Sequence, residues 1–254
     1  MTKALDGKVI LISGAGGGIG SAAAKLFASE GASLILTDLS ADALKATADA
    51  AMVEGADVLA IASDVTDSKS ADELVAAAVG KFGRLDGAFN NAGVNGSQVG
   101  ASGAFLADWS EESFERLMRI NLTGLFLAMK AQIRQMMAQG HGAIVNTGSV
   151  TCFSGMKATS GYAASKHGVL ALTQTAALEY APTIRVNCVC PGFVDTGMLK
   201  YTMSKRGPEI LAKIPFERLA TGHDIAEMVC WLMSDRAAYV TGAAYPVDGG
   251  YLAG

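Results

Sequence analysis

Six short apolar runs rich in β-branched residues recur along the chain: KVILIS (8–13), SLILTD (33–38), DVLAIA (57–62), LDGAFN (85–90), GAIVNT (142–147) and IRVNCV (184–189). Longer, alanine-rich stretches with helical patterning separate them, at 19–30, 41–54, 68–82, 112–138, 160–180 and 222–234. A strand covered on both sides has no polar face to show, so near-continuous apolar strands alternating with helices predict an α/β fold with a parallel sheet between two helical layers. Ser40, Ser110 and Thr221 stand where N-caps are expected. The intervals 93–111 and 192–216 fit neither pattern, and loops of that length in a compact domain are often functional. With no internal repeat and no linker-like segment, residues 1–254 read as one domain.

Composition narrows the classes of function. Half of the residues are hydrophobic and 30 are glycine, which describes a large core joined by many tight turns rather than a disordered chain. A net charge of -4 gives no electrostatic case for nucleic acid or an anionic membrane, and leaves small molecules, a substrate among them, or protein partners. No run approaches the ~18 apolar residues of a membrane span. The opening MTKALDGKVILISG meets a glycine turn before it could build a signal-peptide core, so a cytoplasmic location is expected. Cys152, Cys188, Cys190 and Cys230 form no C-x-x-C pair and none is near His141, His167 or His223 in sequence, so no metal site is expected. Cys188 and Cys190, two apart on a strand, share a face and read as small buried hydrophobes.

SGAGGGIG (13–20) ends the first strand and opens the first helix, where backbone N–H groups and the helix dipole can hold a pyrophosphate. The spacing is Gly14-x-x-x-Gly18-x-Gly20, not the common G-x-G-x-x-G, and a plain glycine turn fits the letters alone. Asp38 closes the second strand 18 positions after Gly20, near the ~20-residue offset at which an acid accepts hydrogen bonds from an adenosine ribose. It could also serve only the turn beside Ser40. A carboxylate there would repel a 2′-phosphate, and Ala15, Gly16 and Leu39 supply no cation, so NAD is expected over NADP.

In SGYAASKHG (160–168), Tyr162 and Lys166 stand four apart on one helical face. A fixed ammonium favours a phenolate, which can exchange a proton with an alcohol or ketone. The pair alone also fits an aromatic ring packing on a lysine stem. Together with the glycine loop, NNAG (90–93), Asn121 in RINLTG, GSV (148–150), PG (191–192) and VDGG (247–250), in that order and spacing, the chain resembles the short-chain dehydrogenase/reductase family along essentially its whole length.

The resemblance implies a Rossmann-like doubly wound sheet of about seven strands. It implies Tyr162 as general acid/base and Lys166 as its electrostatic partner and a ligand of the nicotinamide ribose. Ser149 would bond the reacting oxygen, and Asn121 would hold a water that relays protons from Lys166. Gly14, Gly18, Ile19 and Gly20 would cradle the cofactor. Asp64 and Val65 would receive its adenine, Asn91 and Gly93 would lie along its ribose, and Pro191, Gly192, Val194 and Thr196 would meet its nicotinamide half. Candidate substrate liners are Val150, Cys152, Phe153, Met156, Phe193 and Met198, an apolar set suited to a neutral, hydrophobic or ring-shaped secondary alcohol or ketone. The resemblance further implies a homotetramer built on helices 112–138 and 160–180. A dinucleotide-binding regulator or scaffold that had lost turnover is the alternative; it would lack one of Asn121, Ser149, Tyr162 and Lys166, and all four are present.

Overall fold

A computed structural model describes residues 3–254. Seven parallel strands form one sheet in the order β3-β2-β1-β4-β5-β6-β7. They are β1 (Val9–Ser13), β2 (Ser33–Asp38), β3 (Val58–Ala62), β4 (Gly87–Asn90), β5 (Gly142–Thr147), β6 (Ile184–Pro191) and β7 (Ala244–Val247). Chain order reverses between β1 and β4, and this leaves a crevice at the carboxyl ends of those strands.

Alternation along each strand feeds two cores. Ile10, Ile12, Leu34 and Leu36 pack with α1 (Gly18–Ser29), α2 (Ala41–Val53) and α8 (Gly222–Met233). Their neighbours Val9, Leu11 and Ile35 pack with α3 (Ser68–Phe82), α5 (Gly124–Gln139) and α6 (Ser160–Tyr180). Cys188 and Cys190 share the second core, as their spacing predicts. Ser40, Ser110 and Thr221 each accept a backbone N–H at a helix start.

Three features depart from the sequence pattern. The helix expected over 112–138 is α4 (Glu111–Met118) and α5 joined by a π-helical turn at Arg119–Thr123. The interval 192–216 contains a helix, α7 (Lys200–Leu211), whose pattern is broken by non-helical Arg206 just before Gly207 and Pro208. The seventh strand, AYPV, is short and carries a proline, which the sheet tolerates because β7 lies at its edge.

At the opposite end of the sheet from the crevice, buried Asp86 joins three segments. Its carboxylate accepts the Val9 N–H at 2.8 Å and Arg84 Nε at 2.8 Å, and lies 2.8 Å from His141 Nε2. Burial alone would raise its pKa, but the Arg84, Val9 and His141 contacts together hold it below the usual aspartate value. Stability from this group is therefore present above the unfolded aspartate pKa, near 3.9, and is lost as pH falls through the lower folded value. Asp86→Asn should cost about 2–3 kcal/mol by weakening charge-assisted bonds around a buried N–H. Thermal melts at pH 7 and pH 3 check this: the gap between wild type and variant should narrow at the acid pH.

Candidate active site

The crevice is floored by the glycine loop. Gly14 adopts φ 64°, a left-handed conformation, and a Cβ there would come within 2.8 Å of Ala92 Cα. A Cβ on Gly20 would run into the Gly14 carbonyl oxygen, and one on Gly18 would lie 2.7 Å from Thr196 Cγ2. Glycine is thus required at position 20, where the clash is with backbone, while at position 18 a threonine methyl would have to turn aside. The N-cap of α1, Gly17, supplies no side-chain acceptor, so the first-turn N–H groups stay open to an anion. Ile19 is half-buried, its side chain packed against the first core.

Asp38 sits at the end of β2 with its carboxylate oriented by two backbone donors, Gly16 N–H at 2.9 Å and Ser40 N–H at 3.0 Å. A carboxylate has about four acceptor positions, so two remain for ribose hydroxyls. Asp64 is exposed and accepts the Thr66 N–H at 2.8 Å, and Asp67 caps α3. Val65 lies beneath the crevice, its backbone oxygen facing Gly124.

Asn91 donates from Nδ2 to the Gly14 carbonyl at 3.1 Å and so ties the end of β4 to the glycine loop. Ser13, which the sequence reading passed over, accepts the N–H groups of Asn91 and Ala92 at 3.2 and 3.3 Å. Its place immediately before Gly14 was the available signal. Gly93 marks the meeting point of two expected site residues: a Cβ there would lie 3.3 Å from Asn121 Oδ1 and 3.7 Å from Lys166 Nζ.

Asn121 is held in the π turn. Its Oδ1 accepts the Val94 N–H at 2.8 Å, and its Nδ2 donates to the Val94 carbonyl at 2.9 Å and to Ser165 Oγ at 3.2 Å. Both amide hydrogens are committed to protein partners, while Oδ1 accepts one hydrogen bond and keeps its second acceptor position. Lys166 is 4% exposed and donates to the Thr147 carbonyl at 2.7 Å; its ammonium stands 5.7 Å from the centre of the Tyr162 ring. Ser13, Asn90, Asn121, Thr147 and Lys166 share the wall of one small cavity. Ser149 is extended and buried, and its Oγ accepts the Thr151 N–H at 3.2 Å, which leaves its hydroxyl hydrogen free to donate.

The expected substrate liners divide. Phe153 and Met198 are 47% and 38% exposed, while Met156 and Phe193 are half-buried. Phe193 packs edge-on against Tyr251 at 5.3 Å, and the Met198 carbonyl accepts Asn95 Nδ2 at 3.1 Å across the mouth. Val150 is buried at the start of a short turn. Cys152 packs in the second core, its thiol donating to the Lys166 carbonyl at 3.1 Å. A Cβ on Gly148 would lie 2.7, 2.9 and 3.0 Å from the sulfurs of Cys188, Cys190 and Cys152, so three thiols converge under the Ser149 turn. Hydrogen bonding to Cys152, with burial, pushes the Cys188 thiol up to about 12. Pro191 is buried at the end of β6, and a Cβ on Gly192 would meet Asp248 Cα at 2.9 Å. Val194 pairs with Ala220 in an isolated bridge, and Thr196 faces Gly18 across the loop.

Comparison with known proteins decides the family. A family model described as Enoyl-(Acyl carrier protein) reductase matches residues 14–252. Levodione reductase of Leifsonia aquatica is 39% identical over 261 residues, covering 98% of this chain and 96% of that protein. The chain belongs to the short-chain dehydrogenase/reductase family. Cyclohexanol dehydrogenase of Acinetobacter sp. (strain SE19) is 37% identical over 252 residues, covering 99% of this chain and 97% of that protein. The crystal structure of levodione reductase superposes with a TM-score of 0.93 at 36% identity, over 98% of this chain and 99% of that one.

A short-chain dehydrogenase/reductase binds a nicotinamide dinucleotide, and the residues of the crevice fit one: a glycine cradle that a Cβ would fill, open N–H groups at α1 and a carboxylate with free acceptor positions at the end of β2. Among the described residues no cluster of three His, Cys, Asp or Glu is placed to hold a metal ion, and no helix is long and apolar enough to cross a membrane. The two glycine environments give opposite expectations for a methyl group. Gly20→Ala should abolish measurable NADH binding, because Gly14 cannot move without losing its left-handed turn. Gly17→Ala, whose Cβ would find its nearest neighbour at 3.4 Å, should bind within a few-fold of wild type. NADH fluorescence titration of the two variants reads the difference.

Proposed function

We propose that this short-chain dehydrogenase/reductase moves a hydride between NAD and a neutral, mainly hydrophobic and ring-shaped secondary alcohol or ketone. The observation that carries the reading is the placement of a buried lysine ammonium, 2.7 Å from the Thr147 carbonyl and 5.7 Å from the Tyr162 ring, at the floor of a crevice fitted to a dinucleotide. When bound, the nicotinamide accepts or supplies the hydride. Tyr162 takes the hydroxyl proton as an alcohol is oxidised and returns it as a ketone is reduced, and Lys166 stabilises the phenolate form between these events. Ser149 donates its free hydroxyl hydrogen to the substrate oxygen. Asn121 fixes the Val94 backbone and Ser165, and thereby the spacing between the β4 loop and α6.

Substrate class follows from the walls. Phe153, Met156, Phe193 and Met198 are apolar, and flexible methionines accommodate rings of different shape. Lys157, Lys200 and Lys205 are exposed rather than turned into this wall. A carboxylate would lose its hydration without gaining a cation. The name of the related cyclohexanol dehydrogenase agrees with a cyclic guest. Retention of Asn121, Ser149, Tyr162 and Lys166 supports an enzyme over a regulator without turnover. Exposed Phe126 and Leu178 on α5 and α6 support a homotetramer through those helices, and four buried free thiols suit a reducing cytoplasm.

A coupled assay tests the reaction. With NAD and cyclohexanol, Tyr162→Phe should lower kcat by about 10²–10⁴-fold while NADH binding stays within about twofold. A hydroxy acid of similar size should be the poorer substrate. A fully active Tyr162→Phe enzyme, or clear preference for the acid, would overturn the reading.

Cofactor choice has its own test. The oriented Asp38 carboxylate and exposed, uncharged Leu39 support NAD. Asp38→Ala combined with Leu39→Arg should move the NAD/NADP ratio of kcat/KM toward NADP by about ten- to a hundredfold, the worth of one or two charge-assisted bonds. Comparable kcat/KM for both cofactors in the wild type would contradict the assignment.

A further inference from the structure

Tyr162 is the third residue of α6, and the first turn of that helix is weakly secured by its own sequence. Its N-cap, Thr159, makes no side-chain capping bond; the hydroxyl donates instead to the Met156 carbonyl at 2.7 Å. Ordinarily a helix start without a cap is weakened and frays. Here it is held from outside.

Trp109, in the long interval 93–111, meets this turn. A Cβ on Gly161 would lie 2.7 Å from Trp109 Cζ3 and 2.9 Å from Cη2, so the indole occupies the space in which any larger residue beside Tyr162 would sit. The same ring passes a second glycine, where a Cβ on Gly96 would lie 3.4 Å from Trp109 Cζ2. Its Nε1 donates to the Ala104 carbonyl at 3.1 Å, and its edge meets Phe114 at 6.5 Å between ring centres. Trp109 and Tyr162 pack together on a small cluster of Val99, Ala101 and Leu117 that is separate from both cores of the sheet.

We propose that Trp109 is a positioning residue for Tyr162: its indole, pinned to Ala104 and wedged between Gly96 and Gly161, braces the uncapped turn by packing and fixes where the phenol stands. The proposal rests on the oxidoreductase reading above and adds to it a residue from outside the site. It makes the wall loop after β4 and the helix that carries the acid/base move as one body. A residue that only filled the core would affect folding as a whole; a positioning residue affects proton transfer first.

The experiment compares wild type with Trp109→Leu, Gly161→Ala and the double variant, using NAD with cyclohexanol and NADH with cyclohexanone. Hydrogen–deuterium exchange of the 159–166 segment is read in parallel. Trp109→Leu should lower kcat at least tenfold with NADH binding within twofold, and exchange should quicken in 159–166 but not in β1 or β4. Gly161→Ala should do the same by pushing the indole aside, and the double variant should lose little more than either single one, because both changes remove the same contact; additive losses would overturn the proposal. A kcat within twofold in Trp109→Leu overturns the proposal. So does a loss that comes with weakened NADH binding and faster exchange throughout the sheet. Should the wild type turn over no alcohol or ketone, the oxidoreductase reading falls, and the exchange of 159–166, quickened alike in the single and double variants, still decides whether Trp109 holds the turn.

Discussion

An ammonium group that must be kept almost dry sets the terms for the rest of this molecule. Lys166 is buried on α6, and an unpaired charge in that position would be untenable. The Thr147 carbonyl at the end of β5 answers it directly, and the polar atoms of Ser13, Asn90 and Asn121 line the same cavity. Those groups must themselves be satisfied. Asn90 exchanges hydrogen bonds with Gln132 at 3.0 and 2.8 Å and donates to Asn146 Oδ1 at 3.0 Å, and Asn146 donates to Thr173 Oγ1 at 2.9 Å. One buried network therefore ties β4, β5, α5 and α6 together behind the lysine. Each unsatisfied member would cost about 1–3 kcal/mol, so the network favours a single arrangement of these four elements.

The π turn belongs to the same logic. An α-helix running unbroken from 111 to 139 would present Asn121 in strict helical register with its neighbours. The inserted residue widens the turn at Arg119–Thr123, and Asn121 meets both backbone groups of Val94 and the hydroxyl of Ser165. π turns are rare and concentrate at functional sites because they cost hydrogen-bond geometry that only a specific contact repays. Here the contact joins the loop after β4 to the helix that carries Tyr162 and Lys166. Close approach without side chains completes the arrangement: Gly93 lets Asn121 and Lys166 share one face, and Gly148 leaves room for three sulfurs beneath Ser149.

Much of this was legible in the sequence, and what was not has identifiable causes. The six apolar runs are legible as strands because five of them are largely buried, the edge strand β3 being only partly covered, and their bounds differ from the structure by two residues or fewer at each end. The glycine loop and the Tyr162–Lys166 pair were legible because they are local in sequence. α7 was hidden by Gly207 and Pro208, which break its periodicity where the helix itself is kinked. The π turn was hidden because a single inserted residue barely disturbs a 3.6-residue pattern. The direction of Cys152 depended on a short turn after Ser149 and on two cysteines of β6, contacts that no local reading contains. Trp109 lay in an interval without pattern, and its partners Gly96 and Gly161 are informative only once they are seen to face one ring.

The division between legible and illegible parts follows a division in the architecture. The groups proposed to handle the proton sit on strand ends and on α6, joined by buried bonds that tolerate little change. The walls come from segments that leave the sheet, and they are fastened at their rims. Asn95 reaches the Met198 carbonyl, the Phe216 N–H donates to the Gly249 carbonyl at 3.2 Å, and Phe193 rests on Tyr251. The C-terminal turn thus closes over the segment that bears α7, with Gly249 and Gly250 pressed against Ile214 and Pro215. Substituting Phe153 or Met198 alters the shape of the mouth without touching the network behind Lys166, because neither side chain enters it. Such a molecule can change its guest while keeping its chemistry, and this is why spacing along the chain identifies the reaction more readily than the substrate.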